Sequence, residues 1–184
     1  VICTDKTGTL TTGVMTVREV WGPDEGRLLA AAAACCDADL AVDGRGGVGD
    51  PTELALLAAA AERGVNREDI ERDNPRTAVH PFDTERKRMS VLRADGILYV
   101  KGAVEVVLDR CKDAPNGAAE AAADLAARGL RVLAVAIGTG PEEQALQLLG
   151  LVGIADPPRQ EAIEAIAQAR EAGIQTVMIT GDQP

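Results

Sequence analysis

The two ends of the sequence are alike, and this likeness constrains the fold more than any other feature. Residues 1–4 form a short, β-branched run that ends at Asp5, and residues 174–180 form a second such run that ends beside Asp182. Apolar runs of this kind predict buried strands. Because chemistry in an open α/β sheet lies at the carboxyl ends of its strands, we expect Asp5 and Asp182 to be neighbours, with a long antiparallel insertion between the two strands.

Strand, turn and helix signals alternate through the interior of the chain. The hydrophobic pattern predicts strands over 15–20, 80–82, 89–94, 97–101, 130–137 and 146–155, and helices over 27–36, 54–63, 102–111, 116–128 and 160–172. Asp50, Pro51 and Glu53 are the N-cap, N1 and capping-box signals of the second helix. The pair Asp95-Gly96 is typical of a type I′ hairpin, and residues 39–49 read as a polar surface loop. These elements predict the α/β class.

The composition excludes several classes of function. A net charge of −10 argues against nucleic-acid binding, which needs clustered basic residues, and the run 86–88 is too short to supply them. The longest apolar stretches, 28–36 and 54–61, are shorter than the roughly 20 residues that span a bilayer, so we expect no membrane insertion. The four cysteines form no CxxC pair, which indicates neither a zinc site nor a disulfide framework and favours reduced thiols in a cytosolic setting.

Asp5 is the strongest candidate for a reactive residue. It opens the string DKTGTLT directly after the first predicted strand. A carboxylate can attack phosphorus and form an aspartyl-phosphate, and the turn that follows can present backbone N–H groups to phosphate oxygens. Thr7 adds a hydroxyl group and Lys6 adds positive charge. The alternative is an ordinary aspartate in a capped loop, which the full string makes the weaker interpretation.

Four other residues are candidates for binding, each with a structural alternative. Phe82 is the only phenylalanine, and an aromatic face can hold a purine by stacking, but it could also be a core residue. Lys101 precedes Gly102, which allows close approach to a ligand, although Lys101 could simply be exposed and unpaired. Arg131 interrupts an apolar strand, as a ligand-binding residue or an edge-strand arginine would. Glu53 is already explained as a helix cap and could serve both roles.

The sequence resembles the P-type cation-transporting ATPases of the haloacid dehalogenase-like superfamily. The string 5–11 is similar to the phosphorylation signature of that family. Further stretches resemble its other motifs in the family's order: GDPTE at 49–53, PFDTERKRMSV at 81–91, KGA at 101–103, DPPR at 156–159 and TGD at 180–182. The resemblance covers essentially the whole chain, and its motif set is most like the calcium, sodium/potassium and proton pump branches.

The resemblance implies a role for each matching residue. At the phosphorylation site, Asp5 would accept the phosphoryl group with Lys6 beside it, and Asp5 and Thr7 would hold Mg²⁺. The residues at the same site would also include Thr180, Gly181 and Asp182. Phe82 would stack on the adenine of ATP. The other nucleotide-binding residues would be Glu53, Lys87, Lys101, Gly102, Ala103, Arg131 and, at the hinge, Arg159.

The resemblance also implies a division into domains and a set of partners. Residues 15–155 would be an α+β nucleotide-binding domain with an antiparallel sheet and flanking helices. It would be inserted in a partial Rossmann-like phosphorylation domain formed by residues 1–14 and 156–184. The cofactors would be ATP and Mg²⁺, and the partners would be the actuator and transmembrane domains of a parent pump, without nucleic acid. The setting would be the cytoplasmic face of a membrane.

The sequence departs from its relatives at informative positions. Phosphatases of the superfamily carry a second aspartate where this chain has Thr7, so we expect a long-lived aspartyl-phosphate, since general acid–base help gives typically 10²–10⁴-fold. Thr84 replaces an arginine of many calcium pumps, which puts one phosphate contact in doubt. The family's later GDGxND stretch and later lysine are absent from the sequence, so we expect ATP binding with little or no turnover. The alternatives are a free-standing phosphatase and a non-catalytic binding module.

Overall fold

A computed structural model describes residues 1–41 and 46–179 of the chain. The strands are β1 (Ile2–Asp5), β2 (Thr16–Trp21), β3 (Asp39–Leu40), β4 (Gly47–Val48), β5 (Arg76–Asp83), β6 (Arg88–Arg93), β7 (Ile97–Gly102), β8 (Arg131–Thr139), β9 (Gln147–Ala155) and β10 (Thr176–Ile179). The helices are α1 (Glu25–Ala34), α2 (Pro51–Ala61), α3 (Arg67–Asp73), α4 (Val104–Leu108), α5 (Ala118–Ala127) and α6 (Gln160–Glu171). The predicted mixed α/β class is confirmed.

Six strands form one antiparallel sheet in the order β2-β9-β8-β7-β6-β5. Helices α1 and α2 pack on one face of this sheet, where their leucines and alanines meet Val135, Val152 and Ile154. Helices α4 and α5 pack on the other face, where Val107 and Leu125 meet side chains of β7, β8 and β9. The expected α+β architecture, an antiparallel sheet with flanking helices, is therefore confirmed.

The strands β1 and β10 form a separate, two-stranded parallel sheet. Their register pairs Ile2 with Thr176 and Asp5 with Ile179, so the carboxyl ends of the first and last strands lie side by side. This confirms the predicted adjacency of the two chain ends as far as Ile179. The predicted partner Asp182 lies outside the described residues.

Helix α2 begins where its sequence predicts, but Glu53 does not play the predicted capping role. Asp50 caps the helix by accepting hydrogen bonds from the backbone N–H groups of Thr52 at 2.8 Å and Glu53 at 3.3 Å, and Pro51 occupies the first turn. The Glu53 carboxylate does not act as the capping-box acid. It instead accepts hydrogen bonds from the backbone N–H groups of Asp37 and Ala38, which lie just after the end of α1.

The β6–β7 hairpin differs from the predicted type I′ turn. The backbone N–H of Gly96 donates to the carbonyl oxygen of Arg93 at 2.9 Å, and Gly96, with a φ of 79°, follows the two central residues instead of being one of them. Asp95 has a negative φ, whereas a type I′ turn needs a positive φ at both central residues. The hairpin is the longer kind, in which a turn is followed by a left-handed glycine.

Two further boundaries differ from the sequence prediction. The predicted surface loop 39–49 contains the short antiparallel pair β3 and β4. The helix predicted over 102–111 begins at Val104, because Gly102 completes strand β7 and pairs with Ala134 of β8. Within residues 1–41 and 46–179, no helix combines the length and the apolar character needed to cross a bilayer.

Candidate functional site

Asp5 lies at the carboxyl end of β1, where its side chain is exposed. Residues 6–10 wind into a turn directly after it, with non-helical backbone angles at Thr7 and a φ of 76° at Gly8. Among the described residues, no backbone N–H is capped by the Asp5 side chain at this turn. The carboxylate is therefore presented to solvent at a strand end, which is the placement that its predicted role requires.

The loop after Asp5 is held by residues from the far end of the chain. Asp156 accepts hydrogen bonds from the hydroxyls of Thr11 at 2.6 Å and Thr12 at 3.0 Å, and from the backbone N–H of Gly13 at 2.9 Å. Burial opposes ionisation of Asp156, but these hydrogen bonds outweigh it and lower the pKa of the carboxyl group. Two chain segments that are distant in sequence are thereby joined next to β1.

Arg159 binds the same loop through its guanidinium group. Nε donates to the carbonyl oxygen of Thr11 at 2.9 Å, and Nη2 donates to that of Gly8 at 3.1 Å. A backbone hydrogen bond adds to these contacts, since the N–H of Arg159 donates to the carbonyl oxygen of Leu10 at 2.8 Å. We call this contact between residues 8–13 and 156–159 the crossing. Arg159, predicted to lie at the hinge, thus contacts the loop that follows Asp5.

Glu53 and Lys101 form a buried ion pair between α2 and β7. The ammonium nitrogen of Lys101 lies 2.5 Å from Oε1 of Glu53 and also donates to the carbonyl oxygen of Cys35. Burial alone would lower the pKa of Lys101, but the neighbouring Cys35 and Cys36 and the carboxylate of Glu53 together hold this pKa above its ordinary value. The interpretation of Lys101 as an exposed, unpaired lysine is therefore wrong.

Gly102 permits a close approach, but to the protein's own backbone. A Cβ atom at this position would lie 2.5 Å from the carbonyl oxygen of Lys87 and 2.6 Å from the Cβ of Arg88. Lys87 has a φ of 52°, and its carbonyl oxygen accepts a hydrogen bond from the N–H of Ala103 at 2.9 Å. The KGA segment 101–103 is thus fitted against the turn that carries Lys87.

Phe82 and Arg131 both lie outside the core. Phe82 is near the end of β5 and its side chain is 61% exposed, which excludes its interpretation as a core residue. Arg131 begins β8, an interior strand, so it is not an edge-strand arginine. Its Nη1 donates to the hydroxyl of Thr52 at 3.1 Å, next to Glu53 at the start of α2.

One further residue belongs to this region and was not predicted from the sequence. Glu143, between β8 and β9, accepts hydrogen bonds from Ser90 at 2.6 Å and Arg88 at 2.6 Å, and pairs with Arg86. The only available signal was the basic run 86–88 itself, because three adjacent cations beside a buried strand call for an anionic partner. Nothing in the sequence indicates which of the many acidic residues supplies it.

The loop after Asp5 also suits a magnesium ion. Mg²⁺ is usually held by one or two carboxylates together with phosphate oxygens and water, and not by a dedicated cage of protein ligands. Asp5 offers an exposed carboxylate and Thr7 a backbone carbonyl in the non-helical turn. The residues present therefore fit such an ion as part of a phosphate-bearing complex. The predicted residues Thr180, Gly181 and Asp182 lie outside the described part of the chain.

Comparison with known proteins identifies the family of the chain. A family model described as "P-type ATPase, cytoplasmic domain N" matches residues 26–161. "Calcium-transporting ATPase 1" of Lactococcus lactis subsp. lactis (strain IL1403) is 36% identical over 220 residues, covering 99% of this chain and 25% of that protein. "Probable cation-transporting ATPase F" of Mycobacterium tuberculosis (strain ATCC 25618 / H37Rv) is 37% identical over 239 residues, covering 99% of this chain and 26% of that protein.

A eukaryotic relative is similar along the same length. The "Sodium/potassium exporting P-type ATPase cta3" of Schizosaccharomyces pombe (strain 972 / ATCC 24843) is 31% identical over 261 residues, covering 100% of this chain and 25% of that protein. The chain thus spans about a quarter of the length of the curated relatives that it matches. From the family model and these relatives together, the chain belongs to the P-type cation-transporting ATPases and contains their cytoplasmic domain N.

Proposed function

We propose that this chain binds ATP at the end of the six-stranded sheet where α2, β7 and the β5–β6 turn meet. One observation carries the proposal: residues of the three motifs at 49–53, 81–91 and 101–103, together with Arg131, are linked there by direct contacts. Arg131 contacts Thr52, the neighbouring Glu53 pairs with Lys101, and Gly102 packs against Lys87. A functional assignment of this kind rests on the site and not on the fold class.

The chemistry of the side chains suggests how the nucleotide lies. Phe82 offers an exposed ring on which adenine can stack. Lys87 and Arg131 are exposed cations that can reach the phosphates, and within the described part of the chain the ammonium group of Lys87 pairs only with Glu105, at a long 3.6 Å. The buried pair of Glu53 and Lys101, with Gly102 and Ala103, holds α2, β7 and the turn at Lys87 together.

The whole enzyme would use this bound ATP to phosphorylate Asp5. In that reaction the Asp5 carboxylate would attack the γ-phosphorus as the bond to ADP breaks and ADP leaves. Asp5 and Thr7 would hold a Mg²⁺ ion, which would supply positive charge beside the phosphate oxygens. We propose residues 15–155 as the nucleotide-binding domain, and 1–14 with 156–184 as parts of the phosphorylation domain. The remaining partners would be the actuator and transmembrane domains of a cation pump, at the cytoplasmic face of a membrane.

Nucleotide titration tests the binding proposal. We expect the chain to bind ATP, and Phe82→Ala to weaken binding by about 1–3 kcal/mol, the usual value of one stacked base. Ile163→Ala is a suitable control, because Ile163 is an exposed apolar residue of α6 and is not one of the residues proposed to form the site. Absence of ATP binding by the unaltered chain would refute the proposal.

A second experiment tests whether the isolated chain can transfer phosphate without the rest of the enzyme. We propose that the isolated chain transfers little phosphate, since phosphoryl transfer depends on complete positioning and charge neutralisation. Incubation with labelled ATP and Mg²⁺ should therefore give no strong acid-stable label, whereas the full-length enzyme should be labelled at Asp5. Robust labelling of the isolated chain that is lost in Asp5→Asn would contradict this part of the proposal.

A further inference from the structure

Glu143 joins the β8–β9 segment to the start of β6 through one carboxylate. Nε of Arg88 donates to Oε2 at 2.6 Å, Oγ of Ser90 donates to Oε1 at 2.6 Å, and Arg86 also donates to Oε1. Hydrogen bonds between guanidinium and carboxylate groups are short and directional, so they fix the side chains that make them. Both oxygens of Glu143 are thereby engaged.

The surroundings keep this carboxylate charged. Its side chain is only 13% exposed, and burial by itself would favour the neutral form. The hydrogen bonds from Ser90, Arg86 and Arg88 outweigh burial and lower the pKa of Glu143 to about 2. The contacts that depend on the charge are therefore present throughout the physiological pH range.

The contacts of Glu143 bracket the turn that carries Lys87. Within the turn, the N–H of Lys87 donates to the carbonyl oxygen of Asp83 at 2.6 Å, and the N–H of Arg86 donates to the Asp83 carboxylate at 3.0 Å. The φ of 52° at Lys87 is unfavourable for a residue with a side chain, so the turn depends on contacts around it. Arg86 and Arg88 are the two neighbours of Lys87 in sequence, and Glu143 holds both.

We propose that Glu143 is a positioning residue for the nucleotide. By fixing Arg86 and Arg88 it holds the turn of residues 83–88 in the one conformation that places Phe82 and Lys87 for simultaneous contact with base and phosphate. It does so without touching the nucleotide itself. This inference rests on the proposed ATP-binding function.

A neighbouring residue provides a matched control. Glu142 carries the same charge as Glu143 but is exposed. In the 184-residue chain, we expect Glu143→Gln to weaken the binding of ATP and of adenosine alike by about tenfold, since small displacements of binding groups are costly. Glu142→Gln should leave both affinities unchanged, and Glu143→Asp, which keeps the charge, should recover part of the loss.

The alternative, a purely electrostatic effect, gives a different pattern. Removing one negative charge near the phosphates would strengthen ATP binding in both glutamine variants and leave adenosine binding unaffected. That pattern would overturn the proposal, as would unchanged affinities in Glu143→Gln. If the unaltered chain binds neither ligand, the proposed function itself fails, and so the two failures are distinguishable.

Amide hydrogen exchange gives a readout that does not depend on a nucleotide. We expect faster exchange at the backbone amides of residues 85–88 in Glu143→Gln, with the amides of β8 and β9 unchanged. Should Glu143→Gln not fold, Ser90→Ala removes one of the hydrogen bonds to Oε1 and should show the same local effect in weaker form. Protection of residues 85–88 that equals that of the unaltered chain would contradict the inference.

Discussion

The carboxylate of Glu53 lies 2.5 Å from the ammonium nitrogen of Lys101, and both side chains are almost completely buried. The second carboxylate oxygen of Glu53 accepts the backbone N–H groups of Asp37 and Ala38 at 2.8 and 2.7 Å. This pair therefore connects α2, β7 and the segment after α1. Because each charge is compensated only by the other and by a few hydrogen bonds, the loss of one partner leaves an isolated buried charge.

Breaking this pair should destabilise the fold. We expect Glu53→Gln and Lys101→Met each to lower the free energy of unfolding by about 3–5 kcal/mol, and the double variant to lose less than the sum of the two. Urea denaturation measures these values. Asp69→Asn removes an exposed partner of Arg72 and should change the stability far less than either substitution in the buried pair. Additive effects of the two single substitutions would contradict direct coupling.

Gly102 should not tolerate a side chain. The added Cβ of Gly102→Ala would lie 2.5 Å from the carbonyl oxygen of Lys87, so β7 and the turn must separate. We expect a loss of about 1–3 kcal/mol in unfolding free energy, the usual cost of overpacking, together with weaker ATP binding. Gly26→Ala is the matched control, because Gly26 lies in the exposed first turn of α1 with space for a methyl group. There the exchange should be neutral or slightly stabilising.

Glu143 should make the stability depend on pH in acid. Its folded-state pKa of about 2 lies below the ordinary value of 4.5, so its contribution is complete above about pH 4.5 and is lost as the pH falls towards 2. After allowance for solvent screening, we expect this contribution to be about 1–2 kcal/mol. The difference in unfolding free energy between the unaltered chain and Glu143→Gln should therefore shrink between pH 5 and pH 2. The Glu142→Gln variant should follow the unaltered chain throughout, and a constant difference for Glu143→Gln would show that its charge is not responsible.

Asp156 should protect the backbone amides of the segment after β1 from hydrogen exchange. Its carboxylate holds Thr11, Thr12 and Gly13, while the N–H of Thr12 donates to the carbonyl oxygen of Pro157 at 2.9 Å. We expect Asp156→Ala to speed amide exchange at Thr12 by about tenfold through local opening, without unfolding the six-stranded sheet. The exposed residue Asp113 supplies the control Asp113→Ala. Equal exchange in both variants would mean that the backbone bonds alone hold the crossing.

The large elements were predictable because their determinants are local. Alternating apolar residues identify β6 and β7, and Asp50 with Pro51 identifies the start of α2, in each case through contacts within a few residues. The adjacency of β1 and β10 followed from a rule about α/β sheets and not from any local pattern. Errors arose where a residue's partner is distant: Glu53 has the signature of a capping-box acid, yet its carboxylate serves Lys101 and the backbone of another segment.

The site was harder to derive than the fold for the same reason. Phe82 is exposed, as a residue that stacks on a base must be, and its role in binding stays a prediction. The close approach at Gly102 is to Lys87 and not to a ligand, which could not be foreseen without the register of β6 and β7. Glu143 gave no signal, because its importance depends on the path of the chain between β8 and β9. Charged partners separated by fifty or more residues, as Arg86 and Arg88 are from Glu143, are a product of topology, and sequence spacing does not encode them.

The antiparallel pairing of β2 with β9 has a consequence for how the chain tolerates change. Thr16 and Ala155 are register partners, so the chain enters and leaves the six-stranded sheet at the same point. The chain between these two residues starts and ends at the same place in the sheet, so its length does not alter the distance between Thr16 and Ala155. We therefore expect changes of length between Thr16 and Ala155 to leave β1 and the contacts of Asp156 beside it in place.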